Sequence, residues 1–254
     1  MELDSPLQPR LRLTDGWPLA GWVIFYLLVV ASWLALAGAG PLDLAGLVAR
    51  CLAPAADNTW LSLVAMWSLM SLAMMLPTSL PTLVRLNILV QQGARPVLRF
   101  SAFLLGYIAI WLGFAVAAGS LQLVLARVTP VSLEPSLAGG LLLGAGLYQF
   151  SRLKQACLTR CRHPMTFFMA HWRQGLDGAV AMGLRHGRDC LGCCWALMSL
   201  ALIGGTMSLA WMGLGLGLMI LEKLAGTGRF VTAPLGLILI AGAFYQWGLV
   251  IFAA

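Results

Sequence analysis

Apolar residues fall in six long runs separated by short polar segments. These are Leu19 to Gly38, Leu61 to Leu83, Phe100 to Ala126, a fourth over 133–150 whose lipophilic part is Ser136 to Phe150, Leu191 to Leu221, and Phe230 to Ala253. Most reach the roughly 20 residues that a helix needs to cross hydrocarbon. None shows the period-2 alternation of a membrane barrel, and a backbone in lipid must satisfy its own hydrogen bonds, so the runs are expected to be helices. The pattern predicts an all-α polytopic bundle of about six transmembrane helices. It divides into a tail over 1–18, a single transmembrane domain over 19–254, and a polar loop over 151–190. The fourth run is short and opens with Glu134-Pro135. The fifth, on the order of 46 Å if helical throughout, is expected to tilt or break near Gly204-Gly205.

Composition sharpens this reading. Of 254 residues, 60% are hydrophobic and 10% charged, where soluble domains carry about 25% charged residues. That excludes a soluble globular domain and a disordered chain, and leaves no length for a separate catalytic domain. The first run could pass for a signal peptide ending at Ala35-Leu36-Ala37. Its acidic flank (Glu2, Asp4, Asp15) and its length favour a retained helix.

The 16 Lys and Arg residues are unevenly placed. With a cytoplasmic N-terminus and six crossings, Arg10, Arg12, Arg85, Arg95, Arg99 and the seven basic residues from Arg152 to Arg188 share the cytoplasmic side. Only Arg50, Arg127, Lys223 and Arg229 face outward. By the positive-inside rule both termini are expected in the cytoplasm of a bacterial inner (cell) membrane protein. The net charge of +7 is then a matter of topology, and no basic run interleaved with aromatics suggests nucleic acid.

The candidate chemistry is concentrated. Cys157, Cys161, Cys190, Cys193 and Cys194, with all three histidines (His163, His171, His186), lie between residues 157 and 194. Cys157 and Cys161 share a helix face if that segment is helical. Cys190, Cys193 and Cys194 offer an x2 pair and an i, i+4 pair. Thiolates gathered this way select Cu(I), Zn(II) or iron–sulfur clusters, and on a reducing side they stay thiols. The bland alternative is that cysteine here is a small apolar filler, the reading given to the isolated Cys51. His163, beside Pro164, is best placed to join Cys161 as a ligand; His171 and His186 read as surface or packing residues.

A second soft-ligand pattern lies in the runs themselves. Met66, Met70 and Met74 follow an i, i+4, i+8 stripe with Met75 alongside, and the fifth run adds Met198, Met207, Met212 and Met219. Thioethers bind Cu(I) without the cost of a buried charge, so Met66, Met70, Met74, Met75, Met198 and Met207 form a candidate relay; gap-filling in a core is the alternative. Pro77 and Pro81 are expected to bend or unwind the end of the second helix and free carbonyls. No acidic residue lies deep in a run, which weighs against ion-coupled transport. No phosphate-binding loop or hydrolase motif occurs. Gly140 and Gly144, with Gly213, Gly215 and Gly217, read as close helix packing.

The order Trp67, Met70, Ala73, Met74, Met75, Pro77, Pro81 matches W-x-x-M-x-x-A-M-M-x-P-x-x-x-P. With a second block (Gly146, Tyr148, Gln149, Leu153, Lys154, Cys157, Cys161, Arg162, Pro164) and a third (Gly192 to Trp195, Met198, Gly205, Met207, Trp211, Met212, Glu222, Lys223), it resembles the bacterial integral membrane proteins predicted to bind metal. Some members of that family are described as copper chaperones for copper oxidases such as polyphenol oxidases. The resemblance implies a non-enzymatic protein that delivers copper to a copper-enzyme client. The residues themselves leave two alternatives open: a zinc site that closes the loop structurally, and a thiol oxidoreductase using Cys190 and Cys193.

Overall fold

The computed structural model describes residues 19–36, 59–91, 95–128, 134–202, 209–224, 226 and 228–253, and among these there is no strand. The helices are α1 (Leu19–Leu36), α2 (Trp60–Val90), α3 (Pro96–Val128), α4 (Glu134–Gln149), α5 (Arg152–Arg162), α6 (Pro164–His171), α7 (Gly175–Ser199, running into a 3₁₀ turn at Leu200–Leu202), α8 (Leu209–Lys223) and α9 (Gly228–Ala253). Three are long and apolar enough to cross a membrane: α2, α3 and the Phe230–Phe252 part of α9. The tail over 1–18, Cys51, Met207 and the Gly204-Gly205 pair lie outside the described residues.

Local chemistry sets several boundaries. The Thr59 side chain accepts a hydrogen bond from the Ser62 amide and opens α2, and Ser151 does the same for α5 through Lys154. These caps satisfy amides that a helix start leaves without partners. Pro164 begins α6, where its missing N–H costs nothing. Gly175 opens α7 at φ +83°, a conformation glycine adopts without a Cβ penalty.

The prolines of α2 meet expectation in one respect and depart from it in another. The helix continues through Pro77 and Pro81 to Val90 without unwinding. Pro77 has no N–H to give to the Ala73 carbonyl, and the Trp33 indole donates to that oxygen instead, at 3.0 Å. The freed carbonyl expected from the sequence is thus present, and α1 satisfies it.

Glycines set the tightest helix contacts, but in a register different from the expected one. Gly140, Gly144, Gly213 and Gly217 face open space, whereas a Cβ on Gly139 would strike Trp247 and one on Gly146 would strike Ile240. These contacts pair α4 with α9, and Trp247 also donates to the Ser136 carbonyl. A second seam joins α3 and α7. There a Cβ on Gly183 would collide with the Phe103 carbonyl, and one on Gly106 would come 2.5 Å from the Val180 carbonyl.

Two findings revise the topology. Lys223 Nζ lies 3.2 Å from Cys190 Sγ, yet a continuous helix would separate residues 33 apart by about 50 Å. The fifth apolar run is therefore not one continuous helix: α7 runs on from Cys190 and α8 returns to it. Moreover, α9 is antiparallel to α4, with Trp247 beside Gly139 and Gly236 beside Gln149 and Phe150. The C-terminal end of α9 therefore points away from α5 and the cysteines.

Candidate metal centre

Three helices bring the site together inside the core, level with the middle of α2. In α5 the buried residues are Lys154, Cys157, Leu158 and Cys161, the i, i+3, i+4, i+7 stripe of a one-sided helix. In α7 the inward stripe includes Gly183, His186, Gly187, Cys190, Cys193 and Cys194. The two stripes face each other closely enough that a Cβ on Gly192 would lie 2.6 Å from Cys157 Sγ. The C-terminal end of α8 closes the third side.

The sulfurs of Cys190, Cys193 and Cys194 lie within 4.8 Å of one another. Cys193 Sγ is 3.3 Å from Cys194 Sγ and 3.9 Å from Cys161 Sγ, and it donates to the Cys190 carbonyl. All are free thiols, and Cys190, Cys193 and Cys194 are each only 1% exposed. Cys157 faces the same interface one turn earlier and packs on Gly192 rather than on the other sulfurs. Burial raises its thiol pKa, with a further push from Asp189, so it holds its proton more firmly than an exposed cysteine does.

Charged groups surround the thiols in an ordered way. Lys154 donates to both Glu222 oxygens at 2.8 and 3.0 Å, each side chain 1% exposed. This ion pair clamps α5 to α8, and the Arg162 guanidinium adds a bond to the Glu222 carbonyl. Arg160 pairs with Asp189 at 2.8 Å, and that hydrogen bond raises its pKa further. Lys223 reaches instead to Cys190 Sγ and to Thr78 Oγ1, at 3.2 and 2.8 Å. Tyr107 Oη sits 3.2 Å from the same sulfur while donating to the Met75 carbonyl. His186, buried at 3% exposure, stacks on Phe103 and Tyr107.

The expected residues are thus divided. Cys161, Cys190, Cys193 and Cys194 converge, Cys157 flanks them, and His163 does not join. His163 is exposed at the junction of α5 and α6, where its backbone closes one helix and opens the next. The methionines Met66, Met70, Met74, Met75 and Met198 are all buried in the core. Met74 approaches α8, its Cε within 3.4 Å of where a Cβ on Gly215 would be. Met75 lies beside Thr78, and so one residue removed from Lys223.

Sequence reasoning missed Tyr107 and Thr78 altogether, because each sits in an apolar run with nothing local to mark it. Lys223 carried a signal, as a base closing a long apolar run with Glu222. The single-crossing reading sent it to the wrong end of the molecule.

Comparison with known proteins agrees with the chemistry of this donor set. A family model described as PpoB2, copper chaperone, matches residues 64–246, which contain every thiol and charged group just described. No curated protein and no solved structure gives a match.

Proposed function

The chain belongs to the PpoB2 family of copper chaperones, and from that premise we propose that it is a multi-pass inner-membrane protein that holds Cu(I) on its clustered thiols and passes it to a copper-enzyme client. The observation that carries this reading is the convergence of four buried sulfurs from α5 and α7. Soft thiolates suit Cu(I) and tolerate two or three ligands. At metal–sulfur bonds of about 2.3 Å, trigonal coordination places sulfurs about 4.0 Å apart. The 3.9 Å between Cys161 and Cys193 is close to that spacing, and Cys190, Cys193 and Cys194 offer a second such group.

Cys190 and Cys193 both contact Cys161, so the two groups share ligands. An incoming thiolate can bind before the outgoing one leaves, so the ion moves between Cys161 and the Cys190, Cys193, Cys194 set without becoming free. Met75, Met74, Met70 and Met66 supply weaker thioethers along α2, and Met198 supplies one on α7, toward the opposite end of the bundle. Neither nucleotide nor catalysis is needed, because movement follows the affinity gradient toward the client.

The proposed topology places α1, α2, α3, α4 and α9 across the bilayer and makes α7–α8 a hairpin that enters and leaves on the cytoplasmic side. The bilayer and the client are then the partners, and nucleic acid has no role. The test is elemental analysis of detergent-purified protein. Wild-type protein should carry copper in proportion to chain, and the Cys193→Ser, Cys194→Ser variant should lose most of it. A variant with unchanged copper refutes the reading. Bound zinc, lost together with thermal stability while client activity persists, would instead make the site a structural closure.

A further inference from the structure

The cations around the thiols are not all matched by carboxylates. Lys154 is paired with Glu222 and Arg160 with Asp189, whereas Arg162 and Lys223 make no ion pair among the described residues. Arg162 gives its Nε–H to the Glu222 backbone carbonyl. The Lys223 ammonium reaches a hydroxyl and a sulfur, Thr78 Oγ1 and Cys190 Sγ, and so is the unpaired cation in contact with a thiol. Glu222, the adjacent residue in the chain, is already held by Lys154 and does not serve it.

We infer that Lys223 is a specificity-determining residue, a fixed positive charge beside the metal position that favours a monovalent soft ion over a divalent one. A metal bonded to Cys190 Sγ, about 2.3 Å from it, lies within a few ångströms of Nζ. Repulsion between the ammonium and the metal scales with the metal's charge, so a divalent ion meets twice the opposition that Cu(I) does. In a buried site this is weakly screened. Four thiols alone would suit Zn(II) well, so discrimination against it needs a feature beyond the sulfurs, and the ammonium provides one. Thr78 and Tyr107 act with it. Thr78 accepts from Nζ, and Tyr107 is anchored through the Met75 carbonyl, so both hold the lysine and the sulfur in register.

This inference rests on the copper reading, and the experiment separates the two. Full-length protein in detergent is titrated with Ag(I), an air-stable monovalent stand-in for Cu(I), and with Cd(II), a divalent thiophile, each in competition with a chelator. Wild-type protein should prefer Ag(I). Lys223→Met should raise the Cd(II)/Ag(I) affinity ratio by on the order of tenfold or more, while Lys223→Arg, which keeps the charge, should leave it near wild type. Lys223→Gln keeps an N–H donor without charge and carries the test if the Met variant does not elute as wild type does. An unchanged ratio in the neutral variants, or an equal change in Lys223→Arg, overturns the inference while leaving the copper reading standing. Wild-type protein that binds neither ion overturns both.

Discussion

Cys193 connects the other sulfurs: it contacts Cys194 and Cys161 and donates to the Cys190 carbonyl. Its removal should therefore cost more bound copper than removal of Cys157, which packs on Gly192. Metal content of the two single alanine variants checks this, and equal losses would count against Cys193 as a shared ligand. The thiols were legible in the sequence because soft ligands are rare and here lie close together along the chain. Lys223, Tyr107 and Thr78 were not, since the fold brings them to Cys190 from sequence separations of 33 and 83 residues, and to each other across 145.

Helix pairing depends on two kinds of contact with different tolerances. At the α3–α7 seam glycines let backbones touch, and a side chain on Gly183 would meet the Phe103 carbonyl. Gly183→Leu should displace α7, destabilising the fold by about 1–3 kcal/mol or more, and should weaken metal binding because Cys190 lies two turns further along the same helix. Gly140→Leu, on an open face of α4, should be silent in both assays. The Lys154–Glu222 clamp behaves differently. Lys154→Ala strands a buried carboxylate, at a cost of about 3–5 kcal/mol, whereas replacing both partners with apolar residues of similar volume should cost far less. Thermal unfolding of the single and double variants in detergent checks this, and a double variant as unstable as the single one would contradict it. The apolar runs located α1 to α4 and α9, and the ends of α4 and α9 fall close to the expected limits. The expected loop over 151–190 is corrected: it is helical through α5, α6 and the first part of α7, and α5 and α7 are too polar on one face to register as apolar runs. The glycine register was not. A four-residue spacing marks a face only when the partner helix is known, and α9 presents Trp247 and Ile240 to Gly139 and Gly146 instead.

For the whole molecule, the return of α8 reassigns two basic residues. Under the proposed hairpin Lys223 and Arg229 join the side that holds the cysteine loop, so the charge asymmetry behind the orientation becomes stronger, while the C-terminus is placed on the opposite side. A reporter fused after residue 254 should register as periplasmic and one inserted near residue 173 as cytoplasmic; the same side for both would contradict the hairpin. Hydropathy could not reveal this reversal, because a run that crosses once and a run that turns back have the same composition. The central claim, that a thiol-only cluster holds monovalent copper, is tested most directly by X-ray absorption at the copper edge on anaerobically loaded, full-length protein. The account predicts Cu(I) with a shell of two or three sulfurs, unchanged in His163→Ala and lost in Cys193→Ser, Cys194→Ser. Nitrogen scattering from an imidazole, or a copper signal that survives loss of those two thiols, would contradict it.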